Sequence, residues 1–366
     1  MAIWGYLLLA RGGFWRAPAS KDSSRERLCP PGHPVTAIIP ARDEAASIGA
    51  AVDSLRAQQY SGEMRFIVVD DHSGDRTAAI AREHGAVVLT GLPLPPGWTG
   101  KLWAVAQGIE AARQHAPEYL LLTDADIVHG SDTVAQLVAR AESGGFDLTS
   151  LMVLLRAESF AERALMPAFV FFFLMLYPPA WIENPRYRTA GAAGGCMLIR
   201  REALERAGGI EAIRGALIDD CALARAVKQS GGRVWLGLTR ETRSVREYGG
   251  FAAVWGMISR TAFTQLNYSA WLLAATIAGL GVTYLAPPFL VATARWPQSA
   301  LGAAAWFMMT IAYAPMVRFY RRAIFWAPAL PLIALFYTGA TIGSAVRYCA
   351  GRGGEWKGRV QAAPQP

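Results

Sequence analysis

Residues 119–126 read Tyr-Leu-Leu-Leu-Thr-Asp-Ala-Asp, an uncharged apolar run that ends in two carboxylates. The run predicts a buried strand at Tyr119–Thr123. In an extended chain residues i and i+2 point to the same side, so Asp124 and Asp126 are expected to face one cleft. Open α/β sheets bind ligands at the carboxyl ends of their strands. Two hard oxygen donors there suit Mg²⁺ or Mn²⁺ with a bound diphosphate, and a solvated turn is the alternative.

Strands and helices alternate on both sides of this stretch. The predicted strands are Val35–Ile39, Phe66–Val69, Ala86–Leu89, Tyr119–Thr123 and Met197–Ile199, and the predicted helices are Ala45–Gln58, Arg76–His84, Leu102–His115 and Cys221–Gln229. Such alternation predicts an α/β domain with a mostly parallel sheet. We expect this domain to cover residues 35–265.

The first two strands also end in acidic segments. A nucleotide carries ribose hydroxyls and base N–H groups, which are donors that carboxylates accept. The candidate nucleotide-binding residues are therefore Pro40, Arg42 and Glu44 after the first strand and Asp71 after the second. Asp75 lies just before a predicted helix, so capping that helix is an equally good interpretation of this residue.

The segment Pro96–Lys101 resembles half of a P-loop. The upstream glycine is missing and Leu102 stands where a P-loop has Ser or Thr, so we do not assign one. The absence of a Gly-x-Gly-x-x-Gly pattern disfavours a nicotinamide dinucleotide fold. Lys101 is still a candidate to contact a diphosphate as a point charge.

A third acidic site, Asp219-Asp220, lies in a largely apolar neighbourhood. Adjacent acids point in different directions, so one of them, Asp220, is the candidate general base. A pair of acids that opens the helix Cys221–Gln229 is the alternative. Upstream, Gly194 and Gly195 allow the backbone to approach a ligand closely, or form a tight turn.

These motifs together resemble the family 2 inverting glycosyltransferases with the GT-A fold, over roughly residues 35–265. The motifs are Ile39–Glu44, Val69–Asp75, Gly100-Lys101, Asp124-Ala125-Asp126, Gly194-Gly195 and Asp219-Asp220. More narrowly, the chain resembles the hopene-associated glycosyltransferases. The stretches that carry this likeness are Leu7–Trp15, Gly194–Leu198, Ala216–Arg225 and Arg260–Leu266.

The resemblance implies a role for each matching residue. Asp71 would lie near the nucleotide, Asp124 and Asp126 would hold the metal diphosphate, and Asp220 would be the base, while Asp219 belongs to the donor and acceptor pocket. The Gln-x-x-Arg-Trp signature of processive polysaccharide synthases is missing.

Arg260 and Gln265 are a loose substitute for that signature and complete the pocket set with Gly194 and Gly195. The departure favours transfer of a single sugar. A membrane lipid is the expected acceptor, because the domain is tethered beside the aromatic-rich residues 164–182 and three apolar stretches, and the resemblance alone makes a hopanoid the first candidate. A polysaccharide synthase and a non-catalytic sugar-nucleotide-binding membrane protein are the alternatives.

The composition indicates a membrane region as well as a soluble domain, since 53% of the residues are hydrophobic and 17% charged. The predicted segments are a short N-terminal apolar anchor at 1–16, a linker at 17–34, a membrane-interfacial helix at 164–182, three apolar stretches at 270–294, 300–317 and 323–346 within 266–347, and a basic tail at 348–366. We expect the cytoplasmic membrane, with the catalytic domain facing the cytoplasm. Three crossings would put the basic tail outside, so either one stretch is re-entrant or the tail breaks the positive-inside rule.

The net charge of +8 does not indicate a nucleic-acid partner. Many basic residues flank apolar runs, as anionic headgroups and membrane orientation favour, and no zinc-finger spacing or basic heptad occurs. The four cysteines form no Cys-x-x-Cys pair, which fits a reduced compartment.

Overall fold

The computed structural model describes residues 1–17, 32–354 and 357. Two compact units emerge, which we call the sheet unit (18–156 and 181–246) and the helical unit (1–17, 157–180 and 247–366). Most of the predicted linker and most of the predicted basic tail lie outside the described residues.

The described part of the sheet unit is built on eight strands in the order β3-β2-β1-β4-β7-β6-β8-β5. The strands are β1 Val35–Ala41, β2 Met64–Asp70, β3 Val87–Thr90, β4 Tyr119–Thr123, β5 Ile127–Val128, β6 Leu148–Leu154, β7 Cys196–Arg200 and β8 Val234–Ser244. Strand β1 pairs in parallel with β2 and β4, β2 with β3, and β6 with β8. Strand β7 is antiparallel to β4 and β6, and β5 is antiparallel to β8. The predicted mostly parallel sheet is confirmed, with β7 and β5 reversed.

Fourteen α-helices are assigned within the described ranges. They are α1 Ala2–Leu9, α2 Ile48–Arg56, α3 Thr77–Glu83, α4 Gly100–Ala112, α5 Thr133–Gly144, α6 Phe160–Leu176, α7 Pro179–Glu183, α8 Arg201–Arg206, α9 Asp219–Gln229, α10 Phe251–Thr261, α11 Ala270–Leu280, α12 Ala286–Ala292, α13 Gln298–Phe319 and α14 Leu330–Cys349. All four predicted helices are present.

All four helix starts differ from the prediction by one to three residues. Helix α3 begins at Thr77, one residue late, and helix α9 begins at Asp219, two residues early, so that Asp219 and Asp220 belong to its first turn. The other two differences have local reasons. Helix α2 begins at Ile48 because residues 44–47 form a turn, in which the Ser47 and Ile48 amides both donate to the Glu44 carbonyl at 3.0 Å. Helix α4 begins two residues early, where the Thr99 hydroxyl accepts from the Leu102 amide at 3.4 Å.

The core of the sheet unit lies along β1, whose seven residues are all buried. Helix α4 packs on this strand very closely at Gly108. A Cβ atom added there would lie 2.5 Å from Ile38 Cγ2 and 3.2 Å from Val69 Cγ2. The glycine is therefore required by close approach, because real Cβ contacts are longer.

The helical unit contains apolar helices long enough to cross a membrane. Among the described residues, four segments qualify by length and composition: Phe160–Glu183, Ala270–Ala292, Gln298–Phe319 and Ile324–Cys349. The last three coincide with the three predicted apolar stretches. The first contains the predicted interfacial segment, and its helical structure is interrupted between α6 and α7.

The first turn of α6 contains a buried carboxylate, Glu162, whose two oxygens both accept hydrogen bonds. Ser159 and Glu162 form a capping box, in which each side chain accepts from the other's amide. Glu162 Oε2 accepts from the Glu158 and Ser159 amides at 2.9 and 2.8 Å, and Oε1 accepts from the Tyr248 amide at 2.7 Å. The carboxylate thus ties α6 to the chain that precedes α10.

Candidate active site

Lys101 forms ion pairs with two acids that are far apart in the sequence. Its Nζ lies 2.8 Å from Asp124 Oδ1 and 3.0 Å from Asp219 Oδ2. Lys101 is in the first turn of α4, Asp124 follows β4, and Asp219 is in the first turn of α9. Burial opposes the charge on the ammonium, but the two carboxylates outweigh it and raise the pKa of Lys101. The lysine is therefore firmly cationic.

Asp220 is held by two backbone N–H groups. Its Oδ2 accepts from the Gly194 amide at 2.9 Å, and its Oδ1 accepts from the Cys221 amide at 2.7 Å. Burial, followed by the nearby charge of Asp219, raises the pKa of Asp220 to about 6, against the opposing effects of Lys101 and the two N–H donors. A carboxylate with this pKa is well matched to accept a proton near neutral pH.

Asp126 is oriented by two side chains from the end of β8. Its Oδ2 accepts from the Ser244 hydroxyl at 2.6 Å and from Arg246 Nε at 3.2 Å. Arg246 Nη2 also lies 2.5 Å from Glu44 Oε1. Sequence reasoning missed Arg246, since nothing in its local pattern distinguishes it from the neighbouring arginine Arg243.

The pair Asp124 and Asp126 fits a divalent cation. Burial raises the pKa of Asp124, Lys101 opposes that effect, and the negative charge of Asp126 adds to it. Among described residues, neither Asp124 Oδ2 nor Asp126 Oδ1 has a hydrogen-bond partner. Two repelling carboxylates, each with an oxygen to spare, are the donor set that Mg²⁺ or Mn²⁺ binds.

Hydrogen bonds link the segment after β1 to the segment after β2, and these two segments carry most of the predicted nucleotide-binding residues. Arg42 Nη1 donates to the Asp71 carbonyl at 3.0 Å and lies 3.4 Å from Asp71 Oδ2. The Gly74 amide donates to Asp43 Oδ1 at 2.7 Å. Asp75 accepts from the Thr77 amide at 2.9 Å and from the Ala45 amide at 3.1 Å. Asp75 therefore accepts from one amide in the first turn of α3 and from one amide of the other loop, while the N-cap position itself is Arg76.

One pocket collects several predicted site residues at the carboxyl edge of the sheet. Its lining includes Pro40, Lys101, Asp124, Gly194 and Asp219. Glu44, Asp71, Asp126 and Asp220 are not among its lining residues, so this pocket contains part of the predicted site.

Three predicted pocket residues have other surroundings. Gly195 packs on the sheet, where its carbonyl accepts from the Thr123 hydroxyl at 2.8 Å. Arg260 and Gln265 belong to the helical unit. Arg260 is exposed near the end of α10, and Gln265 Nε2 donates to the Tyr177 hydroxyl at 2.7 Å.

A second acidic group lies at the opposite end of β4. One ligand atom from each of His33, Glu118 and Glu142 falls within 4.8 Å of the others, a spacing that can hold a metal ion. Arg200 already contacts Glu118 Oε1 at 3.1 Å and Glu142 Oε1 at 2.6 Å. The sequence did not suggest this group, because its three members come from three separate segments.

Comparisons with known proteins agree with this architecture. Residues 36–208 match the family described as glycosyl transferase family 2. Over 149 residues the chain is 35% identical to a 4,4'-diaponeurosporenoate glycosyltransferase from Staphylococcus haemolyticus. This match covers 39% of this chain and 37% of the relative. Over 132 residues it is 33% identical to an N-acetylglucosaminyltransferase from a Rhizobium species, and this match covers 34% of this chain and 27% of the relative. The chain thus spans well under half the length of these curated relatives.

A solved structure extends the likeness to nearly the whole chain. A mannosyltransferase from Pyrobaculum calidifontis, in complex with GDP-Man and Mn²⁺, superposes with a TM-score of 0.54 at 20% identity. The match covers 94% of this chain and 97% of that protein. At this identity the likeness shows the fold, and the predicted GT-A-type arrangement with apolar C-terminal helices is confirmed.

Proposed function

Because this chain carries a family 2 glycosyltransferase domain, we propose that it moves one sugar from a nucleotide-diphosphate sugar to a membrane lipid, with inversion at the anomeric carbon. One observation carries the proposal. Lys101 joins Asp124 to Asp219, and so brings a candidate metal ligand and the candidate base, Asp220, to one cleft. Metal, leaving group and base are the parts that such a transfer requires.

Asp220 is the proposed general base. It accepts the proton of the acceptor hydroxyl as the acceptor oxygen bonds to the anomeric carbon and the bond from that carbon to the diphosphate breaks. A single displacement inverts the configuration. Gly194 and Cys221 hold the carboxylate in place through their amides. At pH 7 a group with a pKa of about 6 is mostly ionised and still basic.

The donor side is assigned to the two acids that follow β4. Asp124 and Asp126 would hold Mg²⁺ or Mn²⁺, which when bound neutralises the charge on the departing diphosphate. Arg246 and Ser244 fix the orientation of Asp126. Lys101 keeps a positive charge beside Asp124.

The nucleotide is assigned to the two hydrogen-bonded segments that follow β1 and β2. Asp71 and Glu44 are proposed to accept from its base and ribose, next to Pro40 and Arg42. The contact between Arg42 and Asp71 supports this placement, because it holds the buried Asp71 carboxylate at the carboxyl edge of the sheet.

The apolar segment after β6 supports a lipid acceptor. The chain leaves the sheet unit after residue 156 and returns at 181, and the strands on either side, β6 and β7, pair with each other. A sheet unit that stays on one side of a bilayer would keep both ends of the segment on that side, which favours an interfacial or re-entrant placement of 164–182 over a single crossing. The name of the diaponeurosporenoate glycosyltransferase relative also points to an apolar acceptor.

A hopanoid stays our first candidate acceptor, on the sequence resemblance alone. We place the protein in the cytoplasmic membrane with the sheet unit facing the cytoplasm. The cluster Arg318, Arg321 and Arg322 between the second and third C-terminal apolar helices supports that orientation by the positive-inside rule.

The test is a binding and transfer screen on the detergent-purified chain with UDP-, GDP- and dTDP-sugars and Mn²⁺ or Mg²⁺. Asp220→Asn should bind the donor normally and transfer sugar about 10²–10⁴-fold more slowly. Asp132→Asn, which neutralises an exposed carboxylate, is the matched control and should behave as wild type.

Two results would contradict the proposal. One is a folded wild-type chain that binds none of the donors, and the other is an Asp220→Asn variant with wild-type turnover. The size of the lipid-linked product decides between a single sugar and a polymer.

A further inference from the structure

Lys228 places its ammonium among four backbone carbonyl groups. The residue is half-buried in the last turn of α9. Its Nζ donates to the carbonyl oxygens of Ile182 at 2.7 Å, Thr189 at 2.8 Å, and Trp181 and Asn184 at 3.1 Å. An ammonium has three N–H groups, so four acceptors share three protons. We call these four oxygens the carbonyl cage.

The Lys228 ammonium is bound by the carbonyl cage and not by a carboxylate. Across the described ranges, no carboxylate lies within ion-pair distance of Lys228 Nζ, and burial lowers the pKa of Lys228. Carbonyl oxygens arranged around a cation are also how a protein replaces the hydration shell of K⁺. In chemical terms, Lys228 is a monovalent cation tethered to α9.

The four carbonyls lie where regular secondary structure supplies no backbone donor. Trp181 and Ile182 lie at the end of α7, where the last carbonyls of a helix lack an intrahelical donor. Residues 184–195 form neither helix nor strand, so the carbonyls of Asn184 and Thr189 are in no regular hydrogen-bond ladder. The Trp181 and Tyr187 rings stack with centroids 5.0 Å apart, which adds to the order of the segment.

The same segment leads to the candidate base. Five residues after Thr189, the Gly194 amide donates to Asp220 Oδ2 at 2.9 Å. Helix α9 therefore holds the segment at two points, Asp220 in its first turn and Lys228 in its last, about 12 Å apart along the axis. A rigid helix between two attachments fixes where the Gly194 amide meets the carboxylate.

We propose that Lys228 is a positioning residue for the transfer step, which fixes residues 181–189 and, through them, the Gly194 amide on Asp220. The carbonyl cage is in addition a latent site for a monovalent cation, which an ammonium ion occupies once the lysine side chain is removed. The catalytic part of this inference rests on the proposed glycosyl transfer, whereas the cage itself does not.

The experiment uses the full chain with Lys228→Ala, which opens the cage, and Lys228→Met, which keeps the aliphatic stem. Arg225→Ala removes one positive charge from an exposed position of the same helix and is the control. Sugar transfer, donor affinity and limited proteolysis within residues 181–195 are measured with ethylammonium chloride or, at equal ionic strength, tetramethylammonium chloride, which has no N–H donor.

For Lys228→Ala we expect kcat to fall about 10–100-fold with unchanged donor affinity, because a displacement of about 1 Å costs roughly 10²-fold. Ethylammonium should restore kcat severalfold and slow the cleavage, and tetramethylammonium should do neither. Lys228→Met should lose kcat without rescue, since its stem blocks the added ion.

Wild-type kcat and cleavage in Lys228→Ala, or an equal response to both salts, would overturn the inference. If the wild-type chain transfers no sugar, the proposed function fails, and the proteolysis still decides. Faster cleavage that ethylammonium alone suppresses supports the cage, whereas cleavage equal to that of Arg225→Ala refutes it.

Discussion

Replacing Asp220 by Asn is expected to stabilise the folded chain at neutral pH while it removes the base. Burial and Asp219 raise the pKa of the Asp220 carboxyl from 3.8 to about 6. Raising a pKa by one corresponds to about 1.4 kcal/mol, so ionised Asp220 costs the fold up to about 3 kcal/mol. An Asn side chain has one oxygen where Asp220 has two, so one of the hydrogen bonds from the Gly194 and Cys221 amides is lost. This loss destabilises the variant by about 1 kcal/mol. The expected net gain is about 2 kcal/mol.

The sign of this effect depends on pH. The folded protein binds the Asp220 proton more tightly than the unfolded chain does, so the destabilisation is fully present above pH 6. It disappears as the pH falls from about 6 to 4, where both states become protonated. The stability difference between Asp220→Asn and wild type should therefore close over that range.

Thermal unfolding in detergent with EDTA, at pH 7.5 and pH 4.5, measures this difference. Asp132→Asn, at an exposed position, should track wild type at both values. An Asp220→Asn variant that is no more stable than wild type at pH 7.5, or equally stabilised at both values, would refute the reasoning.

Four further predictions concern the proposed metal site, the proposed base, the start of α6 and the packing of α4. Asp126→Asn removes a proposed metal ligand and should weaken Mn²⁺-dependent donor binding at least about 100-fold by calorimetry, and unchanged affinity would contradict the metal site. In wild type, kcat/KM should fall tenfold per pH unit below about pH 6, because Asp220 must be ionised to act, and a profile flat down to pH 4.5 would argue against that base. Glu162→Ala leaves three N–H groups without their acceptor and should cost about 3 kcal/mol in thermal unfolding, Glu162→Gln costing less, and equal losses would count against the capping contacts. Gly108→Ala should destabilise by about 1–3 kcal/mol through its clash with Ile38, whereas a stabilisation, as expected for an open helix position, would show that the strand can yield.

Local patterns were sufficient for the elements that surround the cleft. The apolar run at Tyr119–Thr123 coincides with β4 because a central strand buried on both faces has no polar alternation to blur its ends. Strands β5, β6 and β8 were not predicted. The apolar run 148–154 offered a usable signal for β6, whereas the charged end of β8 did not resemble a strand.

The contacts that make the cleft could not be predicted from one sequence. Arg246 meets Asp126 across 120 positions, and its other partner, Glu44, is 202 positions away. Lys101 was expected near a diphosphate, but the pattern around it does not say that it bridges Asp124 and Asp219. Such pairings depend on the order of strands in the sheet, which spacing along the chain does not contain.

The excursion of the chain between β6 and β7 also bears on the order in which the protein is made. Strands β5 and β6 both pair with β8, so the sheet stays open until about residue 244 has been synthesised. The apolar helix α6 is complete at Leu176, and 244 − 176 = 68 residues remain to be added. At about 5–20 residues per second this takes roughly 3–14 seconds. An apolar helix is thus available to a membrane before Asp219, Asp220 and Arg246 exist, so we expect the nascent chain to attach first and to gain a donor site only afterwards.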